Sequence, residues 1–240
     1  MPLNMIVCCK QVLDPEAPPA SFKIDPASNK VVPPPGVAPV ISPFDEQAVE
    51  AALRIKDKQG GKITIISLGT NLLRDVVKKP LSMGADELIL LEDEAFEGGD
   101  SWSTAYALAM AIKKIGEFDL IFCGRQAADW DAGQVGSGIA DGYQVVEVTL
   151  PALITTSNEL GEARYATLKG IMAAAKKQPT IWKPADIGAD TSKIGVAGRK
   201  TKLLKLFQPV KEGKCDIVEA DSPAEAGAKL AAKLREAKLI

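Results

Sequence analysis

The chain has 240 residues and a formal net charge of −2, so it lacks the basic footprint of a nucleic-acid binder. It contains no histidine, which removes Ser-His-Asp and Cys-His nucleophile activation and the commonest zinc ligand. A hydrophobic share of 46% suits the core of one large domain or two small ones, yet no apolar run reaches the roughly 18 residues of a membrane span.

From the N-terminus, "MIVCCK" (5–10) predicts a first strand, with no cleavage signature of a signal peptide around it. Residues 14–43 hold nine of the sixteen prolines and little periodicity, which predicts a long extended connection. "SPFDEQAVEAALRIKDKQGG" is punctuated as a helix. Ser42 is the N-cap candidate, Pro43 suits the first helical position, Asp45 stands where a capping box wants an acid, and Gly60-Gly61 ends it. "KITIISLG" reads as a buried strand. "NLLRDVVKKPLSMGAD" reads as a helix that Pro80 kinks or stops early.

"ELILLE" is the next predicted strand. "GGDSWSTAYALAMAIKKIG" follows as a helix capped by Asp100 or Ser101, and "FDLIFCG" as a fourth strand. This alternation, at about 25 to 30 residues, predicts right-handed βαβ units and a parallel sheet. After residue 141 the alternation loosens. "YQVVEVTLPALITT" is strand-rich, "EARYATLKGIMAAAKKQP" is a loop leading into a short helix, and "TIWK" is a short strand. "TKLLKLFQPV" reads as a strand or an extended arm. "DSPAEAGAKLAAKLREAKLI" is a helix capped by Ser222, with Glu225 completing the box. Cys8, Cys9 and Cys123 lie in strand-like runs, as buried free thiols do. With Cys215 and no C-x-x-C spacing, they fit a reducing cytoplasm or organelle matrix.

Ligands of open parallel sheets bind outside the carboxyl ends of the strands. Three such ends stand out: Cys8-Cys9-Lys10, Ser67-Leu68-Gly69, and "GRQAADWDAGQVGSGIA" from Gly124. Glycines let backbone N–H groups approach phosphate closely, and a short helix from about Gln134 would add its positive end. The cluster suits a nucleotide phosphate, although plain strand-to-helix turns are also Gly-rich and no G-x-G-x-x-G or Walker motif occurs. Asp129 and Asp131 raise the question of a metal, but Ala140 occupies the place of the calcium loop's closing Glu. Arg125 either faces phosphate or flavin or pairs with a carboxylate.

"KQVLDP", "SPFDEQAVEAALRIK", "LSMGADELILL", "GRQAADWDAGQVG", "LPALITT" and "RYATLKGIMAAAKK" occur in this order. Together they resemble the β-subunit of electron-transfer flavoproteins, over nearly the whole chain. The resemblance implies an α/β fold with a Rossmann-like parallel sheet. It also implies a C-terminal arm and helix packing on an α-subunit that carries the electron-transferring FAD. The expected division is a nucleotide-binding domain over 1–190 and an arm and helix over 191–240.

The nucleotide site carried over by motif is Cys8, then Ser42, Pro43, Phe44 and Asp45, then Leu68. It continues with Gly124, Arg125, Gln126, Asp129, Asp131, Ala132, Gly133, Gln134, Val135, Gly136, Ser137 and Ile139. No metal is expected. Gly133 and Val135 stand where the AMP-holding branch has a polar version, which leans toward the bifurcating branch and a second FAD. Trp130 departs from that branch's usual small residue, so AMP stays as the alternative. With FAD, NADH is the expected hydride donor and Arg125 the charge that stabilises reduced flavin.

The segment around Leu168, Ile171 and Met172 resembles the family's recognition loop, which docks acyl-CoA dehydrogenase-type or other redox partners. On spacing alone, these three residues read more simply as a helix's core stripe. One departure is that Ala140 runs directly into Asp141-Gly142, where the family carries a further strand and part of a hairpin.

Overall fold

The computed structural model describes residues 1–18, 21–139, 149–208 and 217–239. Two compact units emerge, Met1–Lys205 and Leu206–Ile240. In the first, the apolar N-terminal run forms β1 (Leu3–Cys8). The proline-rich stretch, expected as a plain extended connection, instead contains β2 (Gln11–Val12), β3 (Lys23–Asp25), β4 (Lys30–Val32) and β5 (Val40–Ile41). These pair antiparallel as β2–β5 and β3–β4. Strands of two or three residues are too short to show an alternation, even though Val12 of β2 and Ile41 of β5 are buried.

Helix α1 (Pro43–Gln59) begins and ends where its punctuation predicts, with Pro43 in its first turn and Gly60 closing it. β6 (Gly61–Leu68) follows. The next helix is broken into α2 (Arg74–Val77) and α3 (Lys79–Met83), with Pro80 accommodated in the first turn of α3. β7 (Glu87–Leu91), α4 (Ser101–Ile115) and β8 (Leu120–Gly124) complete the regular alternation. Beyond come α5 (Val135–Ile139), β9 (Ala152–Thr156), α6 (Leu168–Lys176), β10 (Thr180–Trp182) and the short α7 (Gly195–Gly198). The junction at Ala140-Asp141-Gly142, the first part of the strand-rich run, and Cys215 lie outside the described residues.

Six strands form one parallel sheet in the order β10-β7-β6-β1-β8-β9. Both faces are covered, which is why these strands read as continuous apolar runs. Met5, Val7, Ile63, Ile65, Leu90 and Phe122 pack toward Val49, Ala52 and Leu53 of α1. Ile6, Cys8, Ile66, Leu91, Ile121 and Cys123 pack on the opposite face with Leu108, Ala111 and Ile112 of α4. The chain runs outward from β1 through β6 to β7, then crosses back to β8 on the other side of β1. The switch point therefore lies between the carboxyl ends of β1 and β8, where Cys8 is in register with Cys123.

Of the two cap candidates for α4, Asp100 holds the position. Its carboxylate accepts from Ser103 N at 3.1 Å and also from Lys200 N at 2.6 Å and Thr201 N at 2.8 Å. Burial pushes this carboxyl up, but the backbone N–H bonds outweigh it and hold it at about 2. A lowered carboxyl contributes stability above its ordinary value of 3.8, lost as pH falls toward 2. Asp100→Ala is expected to cost about 1–2 kcal/mol in urea unfolding at pH 7. The wild-type advantage should shrink through that acid window.

In the second unit, α8 (Pro223–Glu236) is capped by Ser222, whose Oγ accepts from Glu225 N at 3.3 Å. Glu225 reaches back to Asp221 N at 3.2 Å, one residue before the cap. α8 buries none of its residues. Among the described residues, no helix is long and apolar enough to cross a membrane.

Candidate functional site

α1 starts directly above the switch point and lies against β1 and β8. Ser42 occupies the cap position, but its Oγ makes no cap bond and is buried without a hydrogen-bond partner among the described residues. Asp45 does not close a capping box either. Its carboxylate accepts from Lys10 N at 2.8 Å and from Gly124 N at 3.1 Å, one donor from each strand end flanking the switch point. The carboxylate is almost fully buried. Desolvation pushes it up, against the pull of those N–H bonds and the Lys10 charge, and it comes to rest at about 7.

Gly124 is needed here for space rather than for phosphate. A Cβ on it would stand 2.4 Å from Asp45 Oδ1 and 2.8 Å from Phe44 Cβ. The other strand-end donors are also spent internally. Cys9 N donates to Ile66 O, Gly69 N to Leu91 O and Arg125 N to Thr156 O. The expectation that glycines at these ends free backbone N–H groups for phosphate therefore does not hold at Gly69 or Gly124. What remains for an anion is the loop between β8 and α5.

That loop is open and polar. Asp129, Asp131, Ala132, Gly133 and Gln134 are exposed, while Gln126 and Val135 are partly so. Its two carboxylates are held by neighbouring side chains. Lys10 Nζ meets both oxygens of Asp129 at 2.9 and 2.7 Å, and Gln126 Nε2 donates to Asp131 Oδ1 at 2.9 Å. Asp131 and Gly133 adopt positive φ, +49° and +61°, which turns the loop back on itself. Arg125 is exposed with its guanidinium 5.8 Å from the Phe44 ring centroid, and it makes no ion pair among the described residues. Gly136 is buried against β8 and β9, where a Cβ would meet Thr155 Cγ2 at 3.0 Å. Ser137 and Ile139 continue α5.

The structure thus brings Asp45, Phe44, Gly124, Arg125 and the 126–136 loop to one crevice. Cys8 lies below it, facing α4, and Leu68 at the neighbouring strand end is half-buried. A hydrogen bond from Cys8 and burial push the Cys123 thiol up, and burial does the same to Cys9, so these thiols stay protonated and inert. Sequence reasoning placed Lys10 at an informative strand end but missed its role. It belongs to the quoted "KQVLDP", but its two partners lie 35 and 119 residues away, so local spacing gave no sign of its role.

The three apolar residues of α6 are not a core stripe. Leu168, Ile171 and Met172 are 75%, 50% and 59% exposed, and Ala174 faces inward instead. Gly170 lets α6 lie against α3, since a Cβ there would stand 2.2 Å from Ser82 O. The segment leading into α6 is tied to α1 by Arg164, which bonds Glu50 at 2.8 Å and Asp57 at 2.7 Å. At the far end, Lys177 Nζ donates to Ala85 O at 3.0 Å and Asp86 O at 2.7 Å.

The chain is similar to proteins of known family. Residues 35–142 match the electron transfer flavoprotein domain. It is 35% identical to the caffeyl-CoA reductase-Etf complex subunit CarD of Acetobacterium woodii, covering 99% of this chain and 100% of that protein. Their aligned span of 267 residues exceeds this chain's 240, so that relative has residues without counterpart here. Similarity to the electron transfer flavoprotein subunit beta of Megasphaera elsdenii is 37%, over 86% and 88% of the two chains. For protein FixA of Azotobacter vinelandii it is 34%, over 91% and 89%. With a Rossmann-like sheet and relatives of 34–37% identity that cover 86–99% of it, the chain belongs to the electron-transfer flavoprotein β-subunit/FixA family and has a role in electron transfer.

Proposed function

We propose that this chain is the β-subunit of a heterodimeric electron-transfer flavoprotein and holds AMP in the switch-point crevice, while the α-subunit carries the redox FAD. The observation that carries this reading is the prior use of the strand-end donors Cys9 N, Lys10 N, Gly69 N, Gly124 N and Arg125 N. Only the 126–136 loop remains to meet phosphate, which suits a single phosphate group. The fit of an adenine nucleotide is supported by two buried hydroxyls, Ser42 and Ser67, which flank the end of β1 with unused hydrogen-bonding capacity. The protein's work in this reading is positional: it fixes a nucleotide and presents docking surfaces, and flavin supplies the electron chemistry.

A second reading, FAD in this crevice with NADH as hydride donor, is favoured by one observation. Arg125 presents an exposed guanidinium beside the crevice, unpaired with any carboxylate among the described residues. It would stabilise negative charge developing on a bound cofactor.

The exposed Leu168, Ile171 and Met172, rimmed by Lys169 and Lys176, form a surface for an acyl-CoA dehydrogenase-type or other redox partner with an acidic rim. The uncovered α8 suits contact with the α-subunit. Denaturing the purified heterodimer and counting released nucleotides tests the proposal. One FAD and one AMP are expected. Two FAD would replace the first reading by the second, and a single FAD with no other nucleotide would sink both.

A further inference from the structure

We infer that Asp45 is a positioning residue: its carboxylate, by accepting from Lys10 N and Gly124 N at once, holds the crevice in its nucleotide-retaining form, and protonation of this one group releases it. The inference rests on the nucleotide reading of the crevice and adds its regulation.

An ionised carboxylate is acceptor-only and serves two N–H donors without conflict. Once protonated, it keeps one good acceptor oxygen, and its O–H points a second donor toward an N–H group. Asp45 is 7% exposed, so water does not make good the loss. The two N–H groups it holds, at 2.8 and 3.1 Å, lie at the ends of different strands, one just past β1 and one closing β8, and both border the crevice. Lys10 is held at both ends, its N–H by Asp45 and its ammonium by Asp129, 2.7 Å away. Gly124 begins the loop that contains Asp129. Releasing Asp45 therefore loosens the base of Lys10 and the start of the loop together.

The groups that face Asp45 set when this happens. Burial disfavours its charge, the Lys10 ammonium favours it, and the Asp129 carboxylate across the crevice disfavours it. Cys9 just past β1 and Cys123 on β8 stay neutral. Arg125 stacks over the neighbouring Phe44, and Glu46 on the same helix is paired with Lys79. The balance lies at about 7. The chain has no histidine to titrate in that range.

The test follows release of the nucleotide held by this chain from the intact heterodimer, by chromatography of freed AMP or FAD, between pH 8 and pH 6. Loss of one backbone hydrogen bond should speed release about five- to tenfold at pH 6, with a midpoint near 7. Asp45→Asn, which offers one acceptor at every pH, should release fast throughout with a flat profile. Should that variant fail to fold, Asp129→Asn decides. Removing a neighbouring negative charge should move the midpoint downward, which a merely structural Asp45 would not do. A bound nucleotide released at the same rate from pH 8 to pH 6 would overturn the inference alone, as would an unmoved midpoint in Asp129→Asn. Finding no nucleotide on this chain at any pH would overturn the crevice reading and the inference with it.

Discussion

Gly124→Ala is expected to strip the nucleotide from this chain and to destabilise the first unit by about 2–4 kcal/mol. The added methyl would stand 2.4 Å from Asp45 Oδ1, 2.8 Å from Phe44 Cβ and 2.9 Å from Phe44 C. Two of those neighbours belong to the first turn of α1 at or next to the backbone, so no flexible side-chain tip can move aside. Either α1 lifts or the end of β8 bends, and either motion breaks the bond from Gly124 N to Asp45. Asp45 would then be a buried carboxylate with one N–H partner fewer. The measurement is a urea unfolding midpoint alongside a nucleotide count. Gly227→Ala is the control, because a Cβ there meets nothing within 4 Å and alanine favours a helix. Full nucleotide occupancy in Gly124→Ala would show that the crevice tolerates a wider gap than this geometry allows.

Arg164→Ala should be the costliest change outside the crevice, at about 3 kcal/mol near neutral pH. Glu50 is 4% exposed and accepts from Arg164 Nε at 2.8 Å, from Arg164 N at 3.1 Å and from Arg54 Nε at 2.9 Å. Burial pushes the Glu50 carboxyl up, but the arginine bonds outweigh it and hold it below the ordinary value. Removing Arg164 leaves a buried carboxylate with only the half-exposed Arg54 as its charged partner. The Arg164–Asp57 pair adds little, since Asp57 is exposed.

The sign follows from the lowered carboxyl. Its contribution is present above the ordinary value of 4.5 and is lost as pH falls through the folded-state value. The gap between wild type and variant should therefore be widest at pH 7–8 and narrow toward pH 4, as Glu50 protonates in the variant. A gap that does not change with pH would mean that packing of the Arg164 stem, not its charge, is what matters. Freed from α1, residues 157–167 should also be cut faster in limited proteolysis, and the α6 face should dock its partner more weakly.

Much of the fold was legible because its signals are local. Pro43 and Gly60 bound α1, Pro80 divides α2 from α3, Asp100 caps α4, and apolar runs mark β1, β6, β7 and β8. The crevice was legible as a cluster of residue types after β8, which the structure sets beside Asp45 and Gly124 at the switch point. The roles within it were not. Asp45 reads locally as part of a capping box, yet its partners lie 35 and 79 residues away. Gly124 reads as a phosphate-loop glycine, yet what it admits is the first turn of α1. The β2–β5 and β3–β4 pairs carry no readable periodicity because each strand spans only two or three residues.

The helical spacing of Leu168, Ile171 and Met172 was in the sequence, but which way that face points was not. The close approach of Gly170 to Ser82 O and the ties at Arg164 and Lys177 turn it outward. By itself, then, the sequence determined the longer elements, the caps of α4 and α8 and the parallel α/β class, which depend on backbone preference and hydrophobic period over a few neighbouring residues. The family was legible from motifs that recur in order along the chain. Only the tertiary structure decided that one carboxylate joins two strand ends, that Lys10 neutralises Asp129, and that an apolar helix face is left uncovered. Those depend on strand order and register, which bring together groups too distant along the chain for any local pattern to record.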